Sequence, residues 1–541
     1  MDTDQRECNP RGAGETQVQA TATQRERTGR HAFMVGAGIL ISRLVGLVRQ
    51  RIFGHYFGRS GAADAFAAAF RVPNFMQNLF GEGVLSASFI PVYARLLAEG
   101  DEEESGRLAG AVGAVLSLAA SVLVLIGVLA APWLIWVIAP GFHGETRELT
   151  IQLVRILFPG AGLLVFSAWC LGILNSHRRF FLSYISPVIW NAAMIGTLVA
   201  FGGQELNTLA VKLAWGSVIG SALQFGLQLP VVLRLARKLR LRLDTRTAHV
   251  REVLRNFVPV FFSRGAVQIS SYVDQVIASL AGEGAVSALT YAQSINTLPV
   301  SLFGMAISVA ELPAMSSALG DHAGVATQLQ TRLNSGLRRI AFFVVPSATA
   351  FLALGDVITA ALYQTGKFTH DDSVFVWAIL AGSAVGLLAS TLGRLYSSTY
   401  YALRDTRTPL RYALVRVSLT TVLGYLCAIL LPRWLGIDAR WGMAGLTASA
   451  GVAGWVEFVL LRRTLNRRIG RTGLPTSLTA KLWISAAVAA SIGWAVKFVI
   501  GRHGPILNAA AILGAYGIVY FGVTYLLRVD ECRTTLKRFI R

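Results

Sequence analysis

Long apolar blocks separated by short polar stretches run through almost all of this 541-residue chain, and they restrict its fold more than any other feature. Crossing about 30 Å of hydrocarbon takes about 20 apolar residues in a helix, and block after block reaches that length. Hydrophobic residues make up 54% of the chain and charged residues 15%, compared with about 25% charged residues in a typical soluble protein. The sequence therefore predicts an all-α polytopic membrane protein.

The apolar blocks divide into about fourteen predicted transmembrane helices. They span 32–53, 61–98, 107–139, 147–175, 180–202, 208–233, 252–281, 285–316, 337–363, 373–402, 409–431, 441–461, 479–500 and 505–527. Because this number is even, both termini are expected on the same side of the membrane.

The net charge of +21 has two interpretations, a nucleic-acid partner or the enrichment of Lys and Arg in cytoplasmic loops. Alternate connections are rich in basic residues, at 177–179, 234–246, 332–339, 404–411 and 462–471. The connections between them are short and poor in basic residues, except for the eleventh, which holds Arg433 and Arg440. This alternation favours a multi-pass protein with both termini in the cytoplasm and no nucleic-acid partner.

The basic stretch at 234–251 is the predicted boundary between two lobes of six helices each. The predicted divisions are a disordered cytosolic tail (1–30), an N-lobe (31–233), a cytosolic linker (234–251), a C-lobe (252–461), a final helix pair (477–528) and a cytosolic tail (529–541). The four cysteines fall in tails or in apolar blocks, so no disulfide or cysteine metal site is expected.

Charged side chains inside the apolar blocks are the candidate functional residues, because an ionised group at mid-membrane costs at least about 2.5–3.5 kcal/mol. Arg43 lies deep in the first predicted helix, and Arg49 follows nearer its outer end. In the second helix, spacings of seven, seven and four residues place a polar stripe on one face, formed by Asp64, Arg71, Asn78 and Glu82. Asn74 stands beside Pro73, where it could bond backbone groups freed by a kink. An internal salt bridge is the alternative for Asp64 and Glu82.

The C-lobe carries a second set of charges within predicted helices: Arg264, Asp274, Glu311, Arg394, Arg416 and Glu457. Structural pairing is the favoured interpretation of Glu311 and Glu457. The arginines indicate a cationic cavity, and a planar guanidinium that is always charged suits phosphate or pyrophosphate. The sequence thus favours an anionic cargo that moves between two lobes.

Several motifs, in this order and spacing, make the chain similar to a known family, the MurJ (MviN) lipid II flippases of the multidrug/oligosaccharidyl-lipid/polysaccharide exporter superfamily. They are Ser42-Arg-Leu-Val-Gly-Leu-Val-Arg49, Ala63-Asp-Ala-Phe66, Phe70-Arg-Val-Pro-Asn74, Phe80-Gly-Glu-Gly83, Phe89-Ile-Pro91, the run 282–293, Gly366-Lys-Phe-Thr369 and the run 401–409. The resemblance implies two six-helix lobes that alternate between inward-open and outward-open, and a groove for a polyprenyl tail at 477–528.

The resemblance also implies site residues and a cargo. The predicted substrate-binding residues are Arg43, Arg49, Asp64, Arg71, Asn74, Glu82, Arg264 and Arg394. Asp274 matches an acidic residue that helps to bind sodium in some members, so sodium coupling is a further expectation, and no other cofactor is expected. The predicted function is to flip lipid II across the bacterial inner membrane during peptidoglycan biosynthesis, with the protein acting as a monomer among membrane lipids.

The chain departs from the family pattern at a few positions. Gln77 and Ser294 stand where many members carry cavity arginines, and Arg264 is a candidate replacement for one of them. The run 417–422 lacks the asparagines often found in the eleventh helix, which puts the sodium site in question.

Two other functions compete with flipping of lipid II. One is a flippase for another polyprenyl-linked saccharide. The other is a polyprenyl-phosphate-processing membrane enzyme, which would need clustered carboxylates or histidines on a sizeable loop. Because the eight histidines are scattered and most outer loops are short, the transporter is favoured over the enzyme.

Overall fold

The computed structural model describes residues 38, 41–80, 82–244, 247–308, 311, 315, 322–501 and 504–539. Within these ranges the side chains at 78, 82–83, 86, 184, 259–271, 322–323 and 538–539 lie outside the described part. The predicted cytosolic tail at 1–30 also lies outside the described residues.

The N-terminal half folds into nine helices within the described ranges. They are α1 (41–57), α2 (Gly61–Phe80), α3 (Glu82–Ser88), α4 (Ile90–Ala98), α5 (Glu102–Leu129), α6 (Ala131–Ile138), α7 (Gly144–Ser176), α8 (Phe180–Phe201) and α9 (Leu206–Leu235). The single bent helix predicted at 61–98 covers α2, α3 and α4. Helix α2 continues through Pro73, and among the described residues the helical backbone is interrupted at Phe89.

The C-terminal half begins after the basic linker. Its helices are α10 (Ala248–Leu280), α11 (Ala285–Pro299), a π-helical turn (Val300–Met305), α12 (His322–Ala353), α13 (Gly355–Tyr363), α14 (His370–Ala402), α15 (Arg407–Tyr425), a second π-helical turn (Leu426–Leu430), α16 (Leu431–Leu435), α17 (Gly442–Ile469), α18 (Thr476–Val499), α19 (Pro505–Leu526) and α20 (Asp530–Phe539).

Ten of the described helical segments are long and apolar enough to cross a membrane, which confirms the polytopic all-α prediction. The predicted number of fourteen is not confirmed by this criterion. The four predicted helices outside the ten are the first, second, seventh and eighth, which the structure has as α1, α2 to α4, α10 and α11. Most of the predicted site residues lie on these helices, and their polar side chains lower the hydropathy that the criterion measures.

Most contacts between helices lie within one half of the chain, and fewer join the two halves. In the N-terminal half α7 packs against α2, α5 and α9, and in the C-terminal half α14 packs against α12 and α17. Gly386 of α14 and Gly451 of α17 bring the two backbones into contact, with no room for a Cβ at either position. The final pair, α18 and α19, packs on α12 and α13. Between the halves, α10 packs against α2 and α3, and α11 packs against α2.

Candidate cargo cavity and its outer gate

A cavity of about 210 Å³ lies against the inner face of the N-terminal half. Three of the predicted site residues, Arg49, Arg71 and Asn74, line it together. Its other lining residues are Gln50, Phe53, Phe66, Ala67, Phe70, Met194, Leu198, Leu213 and Thr290. Among the described lining residues, only Thr290 comes from the C-terminal half. The cavity therefore lies against the N-terminal half and faces the interface.

Arg49 is held in this cavity by aromatic rings. Its guanidinium carbon lies 5.6 Å from the ring centre of Phe70 and 5.2 Å from that of Trp190, and the two rings stack on each other. Its Nη1 also approaches the sulfur of Met194 at 3.7 Å. No carboxylate lies within ion-pair distance of Arg49 in the described part of the chain. Cation–π contacts fix the guanidinium without neutralising it, so its charge remains available to an anion.

Arg71 joins the two halves at the level of the cavity. Its Nη2 donates a hydrogen bond to the side-chain oxygen of Gln293 on α11, and Tyr272 of α10 donates to the Arg71 carbonyl oxygen at 3.0 Å. Asp274, two residues further along α10, lies within electrostatic range of the Arg71 guanidinium. Any movement of α2 relative to α10 and α11 must therefore exchange the partners of Arg71.

Arg43 shares a face of α1 with Gln50, because the two residues are seven positions apart. It lies about 10 Å below Gln50 along the helix axis and is exposed. This position is compatible with a vestibule leading to the cavity, although Arg43 is not among the residues that line the cavity itself.

Asp64 is placed outside the cavity, in contrast to the predicted polar stripe. It is buried at the N-terminus of α11, where its two oxygens accept hydrogen bonds from the backbone N–H groups of Gly284, at 2.5 Å, and Ser287, at 2.7 Å. A carboxylate at a helix N-terminus binds backbone donors that the helix leaves unpaired and also favours the helix dipole. Asp64 thus links α2 to α11 as a cap supplied by the opposite half.

Further contacts surround Asp64 and close the side of the interface that the alternation of basic connections predicts to face outward; we call this set the outer gate. Arg59 forms an ion pair with Asp372 at 2.9 Å and stacks on the ring of Phe375. The described hydrogen bonds of the outer gate also join Gly61 N to Glu283 Oε1 (2.7 Å), Tyr291 Oη to Gly58 O (2.9 Å), Lys367 N to His55 O (2.8 Å) and Arg51 Nη1 to Leu362 O (2.9 Å).

Three of the family-like motifs, at 63–66, 282–293 and 366–369, contribute residues to this outer gate. Gly58 and Gly366 have φ angles of +56° and +58°. A Cβ at Gly58 would overlap the backbone of Lys367, and a Cβ at Gly366 would overlap the backbone of His55. Thr369 and Asp372 form a capping box that starts α14. The runs 54–64, 282–291 and 365–372, distant in sequence, therefore build one closed contact.

The inner side of the interface has fewer described contacts. Arg95 at the end of α4 forms an ion pair with Glu252 at 2.8 Å, near the start of α10, and both side chains are partly exposed. Phe80 and Phe257 meet at a ring distance of 5.8 Å. Exposed ion pairs contribute little, about 0–1 kcal/mol, so the Arg95–Glu252 pair stabilises this contact only weakly.

The predicted C-lobe arginines and glutamates with described side chains are not among the residues that line the cavity. Arg416 of α15 pairs with Glu457 of α17 at 3.3 Å, and Arg394 of α14 lies in electrostatic range of both. This pairing agrees with the structural role predicted for Glu457. Glu311 likewise lies 3.7 Å from both Arg332 and Arg339. The side chains of Glu82 and Arg264 lie outside the described part, so their predicted roles stay predictions.

The sodium site predicted at Asp274 stays a prediction, and the charges around this residue bear on it. Two guanidinium groups, those of Arg71 and Arg416, lie in electrostatic range of its carboxylate. No group of three or more His, Cys, Asp or Glu side chains in the described ranges is arranged to hold a metal ion. A cation placed at Asp274 would meet two fixed positive charges, which repel it.

Some residues that matter in the structure carried no signal in the sequence. Trp190 reads as an ordinary aromatic residue of an apolar helix, yet it forms half of the stack on Arg49. Arg59 and Asp372 are 313 positions apart, so nothing local indicates that they pair. Gln293 ends the run 282–293 and was not among the predicted site residues, yet its side chain contacts Arg71.

The sequence of this chain is similar to those of known proteins. A family model described as lipid II flippase MurJ matches residues 53–510. A protein of Rhizobium tropici named "Probable lipid II flippase MurJ" is 32% identical over 93% of this chain and 96% of its own length. The lipid II flippase MurJ of Burkholderia cenocepacia is 31% identical over 81% of this chain and 84% of its own.

Solved structures show the same fold. A lipid II flippase MurJ in an inward closed conformation superposes with a TM-score of 0.76 at 23% identity, over 92% of this chain and 99% of its own. An inward-facing multidrug resistance MATE family transporter of the MOP superfamily gives a TM-score of 0.66 at 19% identity, over 81% of this chain and 98% of its own.

Proposed function

This chain belongs to the lipid II flippase MurJ family, and we propose that it moves lipid II from the inner to the outer leaflet of the cytoplasmic membrane by alternating access. It is a transporter and not a catalytic enzyme. The observation that carries the proposal is the pair of guanidinium groups, Arg49 and Arg71, that line one cavity beside the closed outer gate.

The cavity chemistry suits the pyrophosphate of a lipid-linked cargo. Arg49 presents an unneutralised planar fork held by Phe70 and Trp190, and the guanidinium of Arg71, which also contacts Gln293, lines the same cavity beside Asn74. Guanidinium groups bind phosphate oxygens with two parallel hydrogen bonds, which fixes the orientation of the bound group. A volume of about 210 Å³ accommodates the phosphate part only, so the sugars and the peptide require the halves to separate further.

The outer gate supplies the barrier that alternating access needs. Opening it breaks the Asp64 bonds to α11, the Arg59–Asp372 pair and the backbone contacts at Gly58 and Lys367. An anion between Arg49 and Arg71 would compensate Arg71 when α11 withdraws Gln293. In this mechanism the cargo stabilises the state in which the halves have changed partners, as population shift requires.

The remaining expectations belong to the same proposal. The chain is a multi-pass membrane protein, and we place both termini in the cytoplasm because of the alternation of basic connections. We further propose that it acts as a monomer without a nucleic-acid partner.

Sodium coupling is not part of the proposed mechanism. Because Arg71 and Arg416 already surround Asp274 with positive charge, we propose that flipping proceeds without sodium. In liposomes, replacement of sodium by choline at constant ionic strength should leave the initial rate unchanged within experimental scatter. A loss of more than about tenfold would restore a sodium site at Asp274.

A second cargo of the same chemical kind, another polyprenyl-linked saccharide, would use the same arginines. Liposomes that contain this protein, fluorescent lipid II in one preparation and an unrelated polyprenyl-pyrophosphate sugar in another, separate the two. We expect flipping of lipid II, with the second lipid at least about tenfold slower, which corresponds to about 1.4 kcal/mol of discrimination. Equal rates would assign the chain a broader cargo range, and no flipping of either would refute the proposal.

A further inference from the structure

A second cavity, of about 940 Å³, lies between the π-helical turn at Val300–Met305, α12 and α20, where the last membrane helix ends. One wall is aromatic: Phe303 stacks on Phe343 with ring centres 4.5 Å apart and planes 4° apart, and Phe342 meets Phe343 edge to face. The other wall is formed by α20 and the polar face of α12. A cavity with one apolar wall and one charged wall at the end of a membrane helix has the character of an amphiphile site.

The charged wall carries both signs in equal number. Its described ionisable residues are Arg338, Arg339, Asp530 and Glu531, which sum to zero. Arg338 is taken up by the C-terminal helix, through Glu531 Oε1 at 2.6 Å and Asp530 at 3.5 Å. Arg339 is about half exposed, and its carboxylate neighbour Glu311 stays 3.7 Å away, beyond hydrogen-bonding distance. Arg339 is therefore the cation that a ligand phosphate can reach.

The acidic side of the wall has an unsatisfied acceptor. Glu531 is 12% exposed at its side chain, and its Oε2 is buried without a hydrogen-bond partner in the described part of the chain. Leaving a buried charged oxygen without a donor is costly, so native structures normally supply one. The neighbouring Asp530 carboxylate is 78% exposed at the cavity rim. Together these oxygens fit a ligand that carries an N–H donor with positive charge.

We propose that this cavity binds a zwitterionic membrane phospholipid whose head group contains a phosphate and a primary amine. The phosphate lies on Arg339, the ammonium donates to Glu531 Oε2 and Asp530, and an acyl chain follows Phe303 and Phe343. A choline head group has no N–H to donate, and a glycerol head group has no positive charge. The site shares no residue with the cavity at Arg49 and does not rest on the proposed transport function.

Such a lipid would add to the contacts that the chain makes among these elements, which include the Arg338 pairs with α20 and the Phe303–Phe343 stack. It would contact α20, α12 and the π-helical turn at once, and π-helical turns often occur at functional sites. The bound lipid would therefore fix the C-terminal helix against the end of the eighth predicted helix.

The test is a lipid titration of the full-length protein, delipidated in detergent and followed by native mass spectrometry. The probes are phosphatidylethanolamine, phosphatidylcholine and phosphatidylglycerol with identical acyl chains. We expect one phosphatidylethanolamine to bind more tightly than either of the others. Arg339→Ala should weaken it about two- to fivefold, as expected for one partly exposed ion pair. Ser335→Trp, which fills the cavity, should remove the first bound lipid altogether.

Arg433→Ala is the matched control, because Arg433 is an exposed arginine of α16 and is not among the residues that line this cavity. Equal affinity for the ethanolamine and glycerol lipids would overturn the zwitterionic assignment. An Arg339→Ala variant that titrates like Arg433→Ala would overturn the site. One-for-one displacement of the bound lipid by lipid II would assign the cavity to the cargo instead. Elution of each variant as a single monodisperse peak shows that loss of binding does not reflect unfolding.

Discussion

The cavity works at the scale of single residues through the contrast between Arg49 and Arg416. Both are arginines within apolar helices, and the sequence offers no way to rank them. Arg49 rests on Phe70 and Trp190, whereas Arg416 is paired with Glu457. A ring contact leaves the positive charge unneutralised, whereas a carboxylate neutralises it. Of these two arginines, Arg49 is therefore the one that can receive an anion.

Replacement of Arg49 should separate charge from shape. Arg49→Ala removes the guanidinium, and we expect lipid II flipping in liposomes to fall about 10- to 100-fold, as for the loss of a hydrogen bond to a charged group worth about 1.5–3 kcal/mol. Arg49→Lys keeps the charge without the planar fork, so its flipping rate should lie between that of the unmodified protein and that of Arg49→Ala. Arg433→Ala serves as the control. An Arg49→Ala protein with a normal flipping rate would exclude this residue from cargo binding.

A second residue-scale prediction concerns Asp405, in the connection between α14 and α15. It accepts hydrogen bonds from Thr408 N at 3.0 Å and Thr408 Oγ1 at 2.7 Å, and it pairs with Arg468 at 2.8 Å. The bond from the Thr408 N–H, followed by the Thr408 hydroxyl and Arg468, lowers the pKa of Asp405 to about 2. A lowered pKa stabilises the fold above the ordinary pKa of the group, and this stabilisation is lost as the pH falls toward about 2.

Asp405→Asn should therefore lower the thermal unfolding midpoint by a few degrees at pH 7, about 1 kcal/mol for an 18%-exposed group. The difference from the unmodified protein should be constant from pH 5 to pH 8 and should shrink at pH 3. A difference that grows on acidification would contradict the assigned role. Thermal unfolding of the detergent-solubilised proteins at these pH values is the measurement.

The elements show why part of the site was predictable. Helix-like spacing placed Arg71 on a polar face of α2, and the structure puts it at the cavity together with Asn74. The same spacing assigned Asp64 to that stripe, and the structure puts it at the end of α11 instead. Periodicity along one helix cannot reveal a cap that is supplied to a helix 220 residues away, because that contact depends on tertiary packing.

Asp64→Asn tests the outer gate at the level of these helices. An amide keeps the size of the side chain but loses the charge and one acceptor, so the cap on α11 weakens by about 1 kcal/mol. We expect the outer gate to open more often. Thr290→Cys, which lies at the cavity, should then react faster with a membrane-impermeant maleimide added from the outside. Unchanged labelling, with the Thr290→Cys protein as reference, would show that Asp64 does not hold the outer gate.

At the scale of the whole molecule, the fold class followed from the apolar blocks alone, whereas the state of the interface did not. Ten segments satisfy the length and hydropathy of a membrane span, and the helices that do not are those that carry the polar residues of the interface. The closed outer gate joins three runs that lie up to 317 positions apart, from residue 55 to residue 372. Hydropathy ranks each run separately, so their convergence required the three-dimensional structure.

The central claim is that cargo passes only when the outer gate opens, and a reversible cross-link tests it most directly. His55 Nδ1 and Thr365 Oγ1 lie 2.9 Å apart across the outer gate, so cysteines at these two positions can be joined by a short bis-methanethiosulfonate reagent. We predict that His55→Cys/Thr365→Cys protein in liposomes flips no lipid II when cross-linked and recovers flipping after reduction, while each single cysteine variant keeps its flipping rate in the presence of the reagent. Flipping of lipid II by the fully cross-linked double variant would contradict the account.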